Sequence, residues 1–241
     1  MQKHKTYFNW STGKDSALAL YHLLQDKRYV VDELITTVNS HYNRVSMHGL
    51  RKALLIAQTN ALNIRASLIE LPEMPSMEVY EQKMGETVSR LKDNGFTHSA
   101  FGDIFLEDLR VYRENKLKQQ GFEAIFPIWK RDTKALIHEF LDLGFKTIIV
   151  CANSKYFGEK FVGTVIDKHF IDNLPEGVDP CGENGEFHTF CFDGPIFKTP
   201  IPFTIGEKVY REYNAPKQDD DSICKSDAEK YGVWYCDLLL K

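Results

Sequence analysis

Apolar and polar positions along this chain follow two periods, and the switches between them mark out a repeating unit. Lys5 to Trp10 is a short aromatic, β-prone stretch. A Ser/Thr/Gly turn follows it, and Ala17, Leu20, Tyr21 and Leu24 then recur at the spacing of one helix face. The unit returns down the chain. Glu33 to Val38 reads as a strand before a helix around Arg51 to Leu62, with Leu54, Leu55 and Gln58 at helical spacing. Ala66 to Leu71 is a third strand, stopped by Pro72. A helix carrying Tyr80, Met84, Val88 and Leu91 ends near Asn94-Gly95 and leads into a strand at Ser99 to Phe101. A helix near Leu109 to Gln120 stops at Gly121, ahead of the apolar run Ala124-Ile125-Phe126.

Five strands alternating with four helices predict an α/β fold, a five-stranded parallel sheet doubly wound by right-handed crossovers. Such sheets bind ligands beyond the C-terminal ends of their strands. Ser11 to Ser16 and Gly102-Asp103 both follow predicted strands and are expected to face one crevice.

After residue 127 the pattern changes. A helix with Leu136, Ile137, Phe140 and Leu141 precedes a strand at Thr147 to Cys151, and longer Gly- and Pro-rich stretches follow. The division expected is an N-terminal domain over 1–127 and a C-terminal α+β domain over 128–241. Gln218-Asp219-Asp220-Asp221 reads as a solvated acidic turn. Val233-Trp234-Tyr235 with Leu238-Leu239-Leu240 must dock on its own domain or on a partner subunit, which leaves homo-oligomer formation open.

Composition narrows the picture only a little. A hydrophobic fraction of 43%, a charged fraction of 27% and a net charge of -4 are ordinary for a globular protein and give no basic footprint for nucleic acid. No apolar run is long enough to span a bilayer, and Met1 to Lys5 lacks the apolar core of a signal peptide, so a cytoplasmic protein with no membrane partner is expected. Cys151, Cys181, Cys191, Cys224 and Cys236 lack paired spacing and read as reduced thiols.

Two segments carry chemistry. In Ser11-Thr12-Gly13-Lys14-Asp15-Ser16 a strand gives way to a helix start, where orphan N–H donors and the positive dipole end favour an anion. Gly13 clears the approach, Ser11 and Ser16 add hydroxyl donors, and Lys14 adds a full charge. The segment is not a P-loop, because Asp15 stands where that motif needs a hydroxyl residue and no glycine precedes Gly13 at the required spacing. A Cβ at Thr12 is expected to keep that residue out of backbone regions reserved for glycine.

The second segment, Gly182-Glu183-Asn184-Gly185-Glu186-Phe187-His188-Thr189, places two carboxylates, an imidazole and a hydroxyl around a glycine hinge. A turn at Asn184-Gly185 into a short strand would set Glu186 and His188 on one face, with Phe187 packing inward. Asp103 follows a strand end and either faces the crevice or caps the next helix. Arg51, behind His48-Gly49, is a further candidate for the crevice. Cys181 beside the carboxylates is a weaker one, lacking an adjacent activating base.

The first segment resembles the Ser-Gly-Gly-Lys-Asp-Ser pyrophosphate loop of the nitrogen-type ATP pyrophosphatases, in the adenine nucleotide alpha-hydrolase-like superfamily, with Thr12 in place of a glycine. Together with the Gly182 to Phe187 pattern, Phe101-Gly102-Asp103-Ile104, Phe126-Pro127-Ile128-Trp129 and Val178-Asp179-Pro180-Cys181, it resembles the diphthine-ammonia ligase family over most of residues 5 to 200. That resemblance implies an ATP-dependent ligase joining a carboxylate to ammonia through an acyl adenylate, with release of AMP and pyrophosphate. It implies ATP held by Ser11 to Ser16, Gly102 and Asp103, and catalysis by Lys14, Glu183, Glu186 and His188. Asp15 would orient the loop or reach Mg2+, and main-chain groups around Thr37 would read adenine. The rival expectation is an ATP-binding sensor, which keeps the loop but needs no acid/base cluster.

Overall fold

The computed structural model describes residues 3–45, 49–214 and 230–241. His48, Cys224 and the acidic run at 218–221 lie outside them. The first half runs β1 (His4–Asn9), α1 (Lys14–Gln25), β2 (Tyr29–Asn39), β3 (Arg44–Val45), α2 (Lys52–Leu62), β4 (Arg65–Leu71), α3 (Met77–Asp93), β5 (His98–Ala100), α4 (Glu107–Gln119) and β6 (Glu123–Ile125). Five of these strands pair in parallel in the order β4-β2-β1-β5-β6, and β3 adds two antiparallel residues to the end of β2. The predicted doubly wound sheet is therefore present. Only its element ends differ, as where Trp10 falls just past β1.

Alternation along the strands explains the two-sided burial. Phe8, Leu34 and Val38 face a core shared with α1 and α2, while Tyr7, Ile35 and Ile69 face one shared with α3 and α4. The chain steps outward from β1 to β2 and β4, then crosses back to β5 and β6. This reversal opens a crevice at the C-terminal end of β1.

The second half runs α5 (Thr133–Asp142), β7 (Lys146–Asn153), α6 (Lys168–Asp172), β8 (Phe187–Asp193), β9 (Phe203–Asn214) and β10 (Lys230–Leu240). Its four strands form an antiparallel sheet in the order β8-β7-β10-β9. The sequence pattern showed β7 and the start of β8 but not α6, β9 or β10. Polar and aromatic residues mix along β9 and β10, and their register comes from pairing with each other rather than from an apolar stripe.

One buried cluster joins the sheets, running from Phe8 and the α1 leucines through Leu136, Ile137 and Phe140 to Ile148, Phe187 and Phe190. Near residue 128, then, the chain changes sheet without interrupting the core. The C-terminal segment docks on its own chain: Val233, Trp234 and Tyr235 pair with both β7 and β9. Cys151, Cys181, Cys191 and Cys236 are buried free thiols. Among the described residues no helix is long and apolar enough to cross a membrane.

Candidate active site

A cleft of about 1370 Å³ opens at the end of β1, between the parallel sheet and the face of the antiparallel one. Its wall includes Ser11, Gly13, Lys14, Asp15, Ser16, Thr37, Gly102, Asp103, Glu183, Glu186 and His188. Segments more than 170 residues apart in sequence thus meet in one place, as with the Lys14 N–H bond to Thr189 Oγ1, which spans 175 residues.

The loop from Ser11 to Gly13 is held by its own hydroxyls and by β8. Ser11 Oγ and Ser16 Oγ lie 2.6 Å apart, and the Gly13 N–H points at Ser11 Oγ from 3.4 Å. Gly13 offers no side-chain cap to α1; Thr189 Oγ1 takes the Lys14 N–H, and the Asp15 and Ser16 N–H groups keep their capacity for an anion. Gly102 is required by close approach, because a Cβ there would come within 2.9 Å of the Ser16 main chain. The expected convergence of the two strand ends is therefore a physical contact.

Thr12 departs from expectation. Its φ of 76° lies in the left-handed region that favours glycine, despite the Cβ. Its side chain is fully buried and away from the cleft wall, with Oγ1 lacking a hydrogen-bond partner among the described residues. Its carbonyl accepts bonds from Cys191 N–H and Gln58 Nε2, which fixes the strained conformation.

Lys14 turns toward the second segment. Its ammonium, 3% exposed, donates to Asp15 at 2.7 Å and to the Cys181 carbonyl, and lies 5.5 Å from the Phe187 ring. Burial alone would pull its pKa down, but the charge and hydrogen bond of Asp15, with Glu183 behind them, raise it above its ordinary value.

The two glutamates differ sharply. Glu186 is fully buried, and its carboxylate accepts from the N–H groups of Asp179 and Asn184 at 3.0 and 2.8 Å and from Asn184 Nδ2 at 3.1 Å. It closes the turn in which Gly182 takes a φ of 74°. Glu183 accepts no hydrogen bond among the described residues. Burial first, then Asp15, Asp179 and Glu186, push its pKa up to about 7 against the pull of Lys14. His188 pairs with Cys151 across β7 and β8; burial, and then Lys14, hold its imidazole below the ordinary value.

The remaining candidates are engaged by partners within the protein. Asp103 does not cap α4; it forms an ion pair with Arg113, whose guanidinium lies 4.5 Å from the Phe101 ring. Arg51 is not on the cleft wall; it pairs at 2.5 Å with Asp237 of β10, a cleft-lining carboxylate that Arg44 also binds at 2.9 Å. Cys181 is buried, its thiol donates to the Thr133 carbonyl, and burial raises its pKa, which suits a packed thiol and not a nucleophile.

Thr37 sits beyond the end of β1. The Ile35 carbonyl accepts from Trp10 N–H on the β1 side, so strand alternation puts the Thr37 main-chain groups on that same edge, facing the cleft. Sequence reading named Thr189, Asp179 and Gln58 but gave none of them these contacts. A polar Gln58 on the Leu54-Leu55 face was the one available signal.

The chemistry of the cleft suits a nucleotide triphosphate: helix-start N–H donors, the Ser11 and Ser16 hydroxyls and the Lys14 ammonium belong to residues of one wall. A metal ion fits less well. Among the described residues no three metal-ligating side chains converge, and Asp15 is already paired with Lys14.

Residues 4–123 match the family model of the diphthamide synthase N-terminal domain, and residues 132–218 match that of the C-terminal domain. A diphthine–ammonia ligase of Mus musculus is 26% identical over 219 residues, covering 82% of this chain and 77% of the mouse protein. The human protein of the same name is 25% identical over 187 residues, covering 72% and 69%, and that of Danio rerio is 31% identical over 121 residues, covering 47% of each. A U34-tRNA thiolase from Methanococcus maripaludis aligns over 60% of this chain and 59% of its own at 16% identity; its TM-score of 0.38 is too low to carry an argument.

Proposed function

The chain belongs to the diphthamide synthase family, and from that premise we propose that it is an ATP-dependent carbon–nitrogen ligase that makes an amide from a carboxylate and ammonia. Its relatives' name points to a diphthine-like acceptor. The observation that carries the reading is the meeting of the α1 N-terminus and Lys14 with the Glu183 segment on one cleft wall.

The reaction has two halves. The acceptor carboxylate attacks the α-phosphorus, pyrophosphate leaves, and ammonia then attacks the acyl carbon of the adenylate and displaces AMP. The Asp15 and Ser16 N–H groups, the Gly13 N–H once it exchanges its long contact with Ser11 Oγ, and the Lys14 charge stabilise negative charge gathering on the departing pyrophosphate. Glu183, with a pKa pushed up to about 7, can release a proton or accept one from ammonium near neutral pH. His188, on the wall of the same cleft and with its imidazole held below the ordinary value, is a second candidate acceptor. Glu186 supports the turn that presents both. Residues 1–127 would carry the nucleotide and 128–241 the acceptor. Asp15 would reach Mg2+ only by giving up its ion pair with Lys14, and the ion would supply charge neutralisation.

The test is product analysis. With ATP, a diphthine-bearing acceptor and ammonium, the protein should release AMP and pyrophosphate in step with amide formation. Nucleotide turnover that ignores both acceptor and ammonium would sink the ligase reading and favour a nucleotide sensor.

A further inference from the structure

Gln58 is fully buried on the face of α2 that also carries Leu54, Leu55 and Leu62. Both donors and the oxygen of its amide are engaged. Oε1 accepts from Trp10 Nε1 at 2.7 Å, while Nε2 donates to the Thr12 carbonyl at 3.0 Å and to the Cys191 carbonyl at 2.6 Å. Cys191 N–H reaches the same Thr12 carbonyl at 2.9 Å. One amide on α2 therefore ties together the end of β1, the loop and β8.

The Thr12 carbonyl and the Gly13 N–H belong to one planar peptide and point in opposite directions. Two donors fixing the carbonyl inward therefore aim the Gly13 N–H outward, toward Ser11 Oγ and the cleft. The Thr12 φ of 76° is unfavourable for a β-branched residue and persists only where its surroundings over-determine it.

We propose that Gln58, which lies outside the cleft wall, is a positioning residue for the nucleotide reaction. It holds the Thr12–Gly13 peptide in the orientation that presents the loop amides to phosphate, and it locks that orientation to β8, which continues from the Glu183 segment. The proposal rests on the reading that residues 11–16 receive the phosphates of ATP.

The test is ATP binding by calorimetry on the full chain, with thermal melting to establish folding. Gln58→Met keeps the side-chain length and removes the amide; it should weaken ATP roughly tenfold or more. In a Thr12→Gly background the same substitution should cost less, because glycine holds a positive φ unaided. A simple packing role for Gln58 would give equal losses in both backgrounds.

Gln58→Glu supplies a second readout that holds even if Gln58→Met does not fold. A neutral carboxyl can donate to a carbonyl and a carboxylate cannot. ATP affinity of this variant, relative to wild type at each pH, should recover as pH falls from 8 to about 5.5. A folded Gln58→Met chain that binds ATP within twofold of wild type overturns the proposal. So does an equal loss in both backgrounds, or a Gln58→Glu affinity that does not change with pH relative to wild type. Lys14→Ala separates the two readings: if it binds ATP like wild type, the phosphate-loop reading itself fails, whereas if it loses ATP while Gln58→Met does not, only the role of Gln58 fails.

Discussion

Segments 11–16 and 182–189 share Lys14 across the cleft, yet they use opposite materials. In the first, the proposed phosphate contacts are main-chain N–H groups at a helix start, and side chains shape the loop around them. In the second, the carboxylates are the elements, and their jobs diverge within three residues. Glu186 spends its oxygens on three N–H donors of its own turn, while Glu183 accepts none from the described residues and faces other negative charges. Donor supply, not residue type, decides which glutamate is structural and which is available for chemistry.

The strongest way to break this comparison is at the shared residue. Lys14→Ala should lower kcat/KM for AMP formation by roughly 10² to 10³, the usual scale for one donor of a preorganised electrostatic site. A loss below tenfold would mean that main-chain donors alone suffice.

Glu186→Ala comes next. It strands donors that are buried together, so it should cost about 2 to 4 kcal/mol in urea unfolding, while Glu183→Ala should cost under about 1 kcal/mol and still reduce turnover. Equal destabilisation by the two would erase the distinction.

Acidity sharpens it further. The folded pKa of Glu183, about 7, exceeds the ordinary carboxylate value, so the folded state holds the proton more tightly. This group's contribution is fully present below the ordinary value and is lost as pH rises through about 7. Glu183→Gln lacks that loss and should gain on wild type by roughly 1 to 2 kcal/mol between pH 5 and 8, half burial discounting the full 1.4 kcal/mol per unit. A constant difference across that range would contradict the assignment.

The smallest effect is expected at Asp237. Burial would raise its pKa, but hydrogen bonds from Arg51 and Arg44 outweigh it and hold the carboxyl below its ordinary value. Its contribution is present above the ordinary carboxylate range and lost as pH falls through the lowered value. Asp237→Asn should cost about 0.5 to 1 kcal/mol, less in high salt, by thermal melting.

The parallel half was legible because its signals are local: helix periodicity, glycine stops and a Ser/Thr/Gly turn after an aromatic strand. The loop's place at a helix start was legible for the same reason, since a Ser/Thr/Gly turn precedes the helical period. What sequence left hidden depends on distant partners. Nothing near Arg51 in the chain indicates that Asp237 would claim it, and nothing near Thr12 indicates that Gln58 and Cys191 would hold it at positive φ. The split between Glu183 and Glu186 was invisible too, because it turns on which amides the folded turn offers.

The ligase chemistry can be tested most directly by following oxygen. With an acceptor whose carboxylate carries oxygen-18, plus ATP and ammonium, mass spectrometry should find one labelled oxygen in AMP for each amide formed and none in pyrophosphate. Label in inorganic phosphate with ADP as co-product, or unlabelled AMP alongside labelled amide, would contradict an acyl adenylate at this site.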